Sequence, residues 1–170
     1  DVLLDPAEDG GPLGSHVCPV VDINNDGVDD VMWGERCIEF DKGRQLFCAG
    51  QGTWKGHSDI VQPVLDRRSG TWVIHTCRES FQNVGPRIVC FDARGQQIWG
   101  HLEEGHIDTG WAAHLGADGE AVVLGVKVGE KIRDAQGERR LWTKSCTYRA
   151  VSGKPYAMPF DPYTTIPVDL

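Results

Sequence analysis

Short apolar bursts broken by glycine turns, no sustained helical period, and a unit that recurs about every 44–50 residues predict an all-β chain. The unit reads as strand, turn, strand, hairpin, strand, which is the four-stranded antiparallel blade of a β-propeller. About three such blades fit the 170 residues, with 21 glycines and 9 prolines to make the turns.

The elements follow in chain order. Residues 1–16, with Gly10-Gly11-Pro12-Leu13-Gly14, read as a linker or the tail of a preceding element. Blades are placed at about 17–50, 59–101 and 108–160. Pro19-Val20-Val21-Asp22 matches Pro63-Val64-Leu65-Asp66, and the pattern G-H-x-D occurs at His57 and again at His106. Phe40 to Phe47 and Phe91 to Trp99 both read as strand, tight glycine turn, strand, with Ala150 to Tyr156 a looser third copy. Thr165-Ile166-Pro167-Val168-Asp169 resembles the run that opens the first blade, so 161–170 reads as the approach to a further blade. Three blades cannot close a ring without leaving strand edges in water. The expectation is therefore a larger seven- or eight-bladed propeller, completed by the rest of a parent protein or by a partner chain. A stand-alone three-blade domain is the alternative.

Between the first two strands lies Asp22-Ile23-Asn24-Asn25-Asp26-Gly27-Val28-Asp29-Asp30. Asp22, Asn24, Asp26 and Asp30 put oxygen-bearing side chains at loop positions 1, 3, 5 and 9, and Gly27 permits the sharp turn. Val28 joins them through its backbone carbonyl. A hard cation such as Ca²⁺ takes such a ring of oxygens. Trp33 occupies the position where an EF-hand needs a glutamate, and the flanks are β-branched, so the loop joins strands. It resembles the calcium loops of FG-GAP/VCBS-type propeller blades. The plainer reading is a hairpin turn whose acids face water.

A formal charge of -8 argues against a nucleic-acid partner, and no apolar run approaches a membrane span. The six cysteines contain no C-x-x-C pair. Cys37 with Cys48 and Cys77 with Cys90 fall roughly opposite in their hairpins and read as disulfides, with free buried thiols as the alternative. An even cysteine count beside a calcium loop suggests a secreted protein, extracellular or periplasmic.

Gly56-His57-Ser58-Asp59, then Asp66, then Gly70-Thr71-Trp72-Val73-Ile74-His75 resembles a blade of the propeller polysaccharide lyases, of the rhamnogalacturonan and ulvan lyase types. Gly110-Trp111-Ala112-Ala113-His114 and Tyr163-Thr164-Thr165-Ile166-Pro167 are similar to further segments of the same enzymes. The loop acids are depleted at Asp66-Arg67-Arg68-Ser69 and at Gly116-Ala117-Asp118, which puts calcium in doubt at the second and third loops. The resemblance implies cleavage beside a uronic acid by β-elimination. That reaction needs the carboxylate neutralised, a base for the C5 proton and an acid for the leaving oxygen.

Candidates for those roles are His57, His75, His106, Arg78 and Tyr148, with Arg87 and Lys127 for the carboxylate and Trp54 as a platform for a sugar ring. Antiparallel pairing is expected to bring His57 and His75 to one end of the second blade. The plainer reading makes G-H-x-D a structural blade signature and most tryptophans blade packing. Two functions follow: a calcium-dependent lyase acting on an acidic polysaccharide, or a non-catalytic FG-GAP-like propeller for carbohydrate binding or adhesion.

Overall fold

A computed structural model of the chain describes residues 11–79, 87–101, 107, 109–115, 118–133 and 139–157; for 127–133 and 139–145 it describes the backbone alone. The described residues form eleven strands and no helix, in three antiparallel sheets. Blade one holds β1 (Val20–Val21), β2 (Asp30–Trp33), β3 (Arg36–Glu39) and β4 (Arg44–Cys48), paired in that order. Blade two holds β5 (His57–Asp66), β6 (Thr71–Glu79), β7 (Ile88–Asp92) and β8 (Gln97–His101), again in chain order. In blade three, β9 (Thr109–Ala113), β10 (Val122–Arg133) and β11 (Arg139–Arg149) make three strands, and a bridge from Tyr148 to Pro155 follows β11.

The three hairpins that repeat in the sequence share one backbone device. Gly43, Gly95 and Gly153 all sit at positive φ (58°, 75° and 65°), where a side chain would be strained. Each closes its turn by an amide donated back, to Phe40, Asp92 and Arg149 respectively.

Both faces of blade two are covered. Towards blade one, Val61, Ile74, Val89 and Phe91 pack with Ile23, Met32 and Cys37. Towards blade three, Val64, Val73 and Cys90 pack with Ala121, Val123 and Ala150, and Cys77 and Ile88 with Ile107 and Cys146. A strand covered on both faces is apolar without alternation, as in Trp72-Val73-Ile74 and Ile88-Val89-Cys90-Phe91. Gln62 then ties blade two to blade three: its amide oxygen accepts from Ala112 N at 2.8 Å and its amide nitrogen donates to Ala112 O at 3.2 Å.

The disulfide expectation is corrected by register. Cys37 stands opposite Phe47 and Cys48 opposite Arg36, while Cys77 stands opposite Ile88 and Cys90 opposite His75. Neither pair meets across its ladder, and no two of the six cysteines are joined by a disulfide. Burial pushes the thiols of Cys37, Cys77 and Cys90 up, so they stay protonated and unreactive near neutral pH.

Candidate functional site

β5 begins at His57, and the register sets it opposite Glu79, the last residue of β6. The bulge between Ser58 and Ile60 brings Asp59 round to the same side, where Asp59 Oδ1 lies 3.2 Å from His57 Nδ1. Glu79 Oε2 is also 3.2 Å from that nitrogen. The stretch before β1 contributes a fourth group. It runs parallel to the start of β5, bridging Ser15 to Ser58, with Leu13 N donating to Gly56 O. His16 thereby reaches Asp59 Oδ1 at 3.4 Å and meets the His57 ring edge-on at 4.6 Å between centroids.

His16, His57, Asp59 and Glu79 present donor atoms within 4.8 Å of one another. Among the described residues this is the one such group of His, Cys, Asp and Glu. The set grades from buried to open: Asp59 is 7% exposed, Glu79 26%, His57 29% and His16 70%. Two imidazoles and two carboxylates converging on one point, open on one side, fit a divalent cation that retains free coordination positions.

The Asp22–Asp30 loop is folded as an oxygen-rich turn. Asp22 accepts from the amides of Asp26 and Gly27, Asn24 Oδ1 from Asp26 N, and Asp26 Oδ1 from Val28 N, all at 2.9–3.0 Å. Asn25 takes the left-handed conformation at φ 60°, an arrangement asparagine tolerates. Asp30 is 1% exposed, and its Oδ2 accepts from Ile23 N at 3.2 Å while Oδ1 has no hydrogen-bond partner among the described residues. Burial, with the nearby charges of Asp26 and Asp22, holds the Asp30 carboxyl above its ordinary value. An orphaned buried oxygen among crowded carboxylates is an environment that a hard cation would relieve, so the residues fit calcium.

The structure places the other predicted residues apart. His75 stands opposite Gln62, five residues along β5 from His57, so the two histidines do not share an end of the blade. It is wholly buried against blade three, its Nε2 3.3 Å from Leu124 O and 3.5 Å from Cys77 Sγ, and burial lowers its pKa to about 4. Arg78 points the opposite way, into blade one, where it forms a two-pronged ion pair with Glu35. Trp54 is not an open platform: it is 5% exposed, with the Arg78 guanidinium 5.0 Å from its ring centre. Arg87 is buried close to Arg78. Tyr148, in β11 of blade three, stacks on His101 of blade two at 4.0 Å between ring centroids. Lys127 lies in β10 opposite Lys144, and His106 lies outside the described residues.

The sequence singles out His57 without its neighbours in this cluster. Asp59 was legible, being the acid of G-H-x-D. Glu79 and His16 were not, because only the β5–β6 register and the docked stretch before β1 bring them in.

The fold is that of propeller blades of the kind found in polysaccharide lyases. The exotype rhamnogalacturonan lyase YesX superposes with a TM-score of 0.63 at 19% identity over 85% of this chain. Rhamnogalacturonan lyase YesW gives 0.60 at 19% over 89%, and the rhamnogalacturonan lyase PL11 of Bacillus licheniformis 0.59 at 23% over 85%. The chain spans about a fifth of the length of each, 22%, 23% and 21%. No protein-family profile and no curated protein matches the sequence.

Proposed function

We propose that this chain is the part of a secreted polysaccharide lyase that carries a cation-holding group for a uronate-containing glycan. The observation that carries the reading is the convergence of His16, His57, Asp59 and Glu79 at the exposed start of β5. A divalent cation held there would neutralise a uronate carboxylate and so acidify the neighbouring C5 proton. With His75 and Arg78 enclosed between blades, His57 takes the carboxylate-neutralising role, as a ligand of that cation beside Asp59 and Glu79. Calcium in the Asp22–Asp30 loop would brace the first blade. Secretion follows from the substrate, a polymer that must be cut outside the cell.

The second reading, a non-catalytic carbohydrate-binding or adhesive propeller, draws on one observation. Arg78, Trp54 and His75 serve inter-blade packing instead of gathering at one end. The test is incubation of the whole propeller carrying this chain with rhamnogalacturonan, ulvan and glucuronate gums, following the ultraviolet absorbance of an unsaturated uronate. A rise that EDTA removes, and that His57→Ala removes with the fold intact, supports the lyase. No rise on any of them, in cation-loaded folded protein, rejects it in favour of the second reading.

A further inference from the structure

At the far end of the ten-residue strand β5 from His57, about 30 Å away, the turns of blades two and three line an open cavity of about 450 Å³. That size lies within the range of small-molecule sites and accommodates a sugar ring. Its charge balance differs from that of the corresponding turn of blade one, where Asp22, Asp26 and Asp30 gather: here Arg68, Arg149 and Lys154 offset Asp66, Asp118 and Glu120, in a chain whose overall charge is -8.

The walls are fixed by buried acids. Asp66, 2% exposed, spends Oδ2 on the amide and hydroxyl of Ser69 (2.8 and 2.6 Å) and Oδ1 on Ala121 N (3.2 Å). Glu120, 5% exposed, accepts from Arg149 Nη1 at 2.9 Å and from Ser152 Oγ at 3.4 Å. Asp118 takes the same Arg149 nitrogen at 2.6 Å, which pins the guanidinium over the Tyr156 ring. At the mouth the cations are open. The Arg68 side chain is 66% exposed with one long contact, 3.6 Å to Glu120, and Lys154 is exposed without an ion pair among the described residues.

We propose that this cavity is a second carbohydrate site, taking an acidic sugar unit whose carboxylate is held by Arg68 and Lys154 and whose hydroxyls meet Ser69, Ser152 and Asp118. The choice of a sugar acid among small carboxylates rests on the proposed polysaccharide substrate; the cationic mouth does not. Bound there, a polymer would be held at the end of the blades opposite the His57 group.

The test is hydrogen exchange by mass spectrometry on the full-length protein with digalacturonate, the neutral disaccharide galactobiose, or acetate. Digalacturonate is expected to protect peptides spanning 66–71 and 149–154, with galactobiose and acetate at least about tenfold weaker, a gap of about 1.4 kcal/mol. Arg68→Ala with Lys154→Ala, both surface changes, should abolish that protection, and His57→Ala should leave it. Protection absent in the wild type, or unchanged in the double variant, overturns the site. Equal protection by acetate overturns the sugar and leaves a plain carboxylate pocket. Because no elimination is read, a failed lyase assay and a failed pocket assay are separate outcomes.

Discussion

Arg78 of blade two and Glu35 of blade one meet side-on, Nε to Oε1 at 2.7 Å and Nη2 to Oε2 at 2.8 Å, with side-chain exposures of 2% and 0%. Glu35 Oε1 also accepts from the hydroxyls of Ser58 (3.1 Å) and Thr76 (3.0 Å), so one carboxylate gathers three residues of the neighbouring blade. Breaking a buried pair strands a charge, at a cost of about 3–5 kcal/mol. Glu35→Ala and Arg78→Ala should each lose that much in denaturant unfolding, whereas Glu35→Leu with Arg78→Met should lose clearly less than the sum. Additive losses would show that the pair is not what joins the blades.

For the Asp22–Asp30 loop the expected effect of a substitution has opposite sign with and without metal. Asp30→Asn keeps an acceptor for Ile23 N but removes a buried charge crowded by Asp22 and Asp26. Without metal the variant should melt at or above the wild type. With calcium at a hundred times its dissociation constant, the wild type should gain about 2.7 kcal/mol and the variant little. Thermal melts in EDTA and in excess calcium check both halves. A variant that responds to calcium like the wild type would remove Asp30 from the ligand set.

For the group at the start of β5, loss of a ligand should be read in binding before activity. Glu79→Gln and His57→Ala should each weaken Zn²⁺ or Mn²⁺ in equilibrium dialysis by at least about a hundredfold, or about 2.7 kcal/mol. Calcium titrated in parallel identifies the preferred ion, since imidazole donors suit the transition metals and carboxylates suit both. An affinity that stays unchanged in both variants would leave the four residues as a hydrogen-bonded cluster and nothing more.

The strand order was legible because its signals are local: glycines at 43, 95 and 153 mark hairpins, and Asp22 to Asp30 spells its own turn. The placement of site residues was less so. Period-two alternation tells which residues share a face, but when both faces of β6 are buried it cannot say which neighbour each one meets. His75 and Cys77 turn to Leu124 and Thr109 of blade three, while Thr76 and Arg78 turn to Glu35 of blade one. Those contacts join residues 32–49 apart in sequence, a separation without a local signature. The cysteine pairing failed for a related reason. The bulge at Cys37/Ile38 and a two-residue offset across β6 and β7 shift partners that a hairpin count places face to face.

His75 makes the pH dependence of the fold specific. Its pKa falls from 6.5 to about 4 because burial disfavours the imidazolium. In the unfolded chain the ring takes a proton near 6.5; in the folded chain it does so only near 4. Between those values the unfolded state binds more protons, so stability rises with pH and is lost as pH falls from 6.5 towards 4. The full depression corresponds to roughly 3 kcal/mol. Above pH 6.5 the contribution is complete and flat. His75→Gln, which keeps a donor for Leu124 O without a titrating ring, should be less stable at pH 7 through lost packing, yet should lack most of the slope between pH 4 and 6.5. Urea unfolding of both proteins at half-unit intervals across that window measures the difference directly. An unchanged slope in His75→Gln would move the acid sensitivity to another group and leave the buried imidazole with a packing role alone.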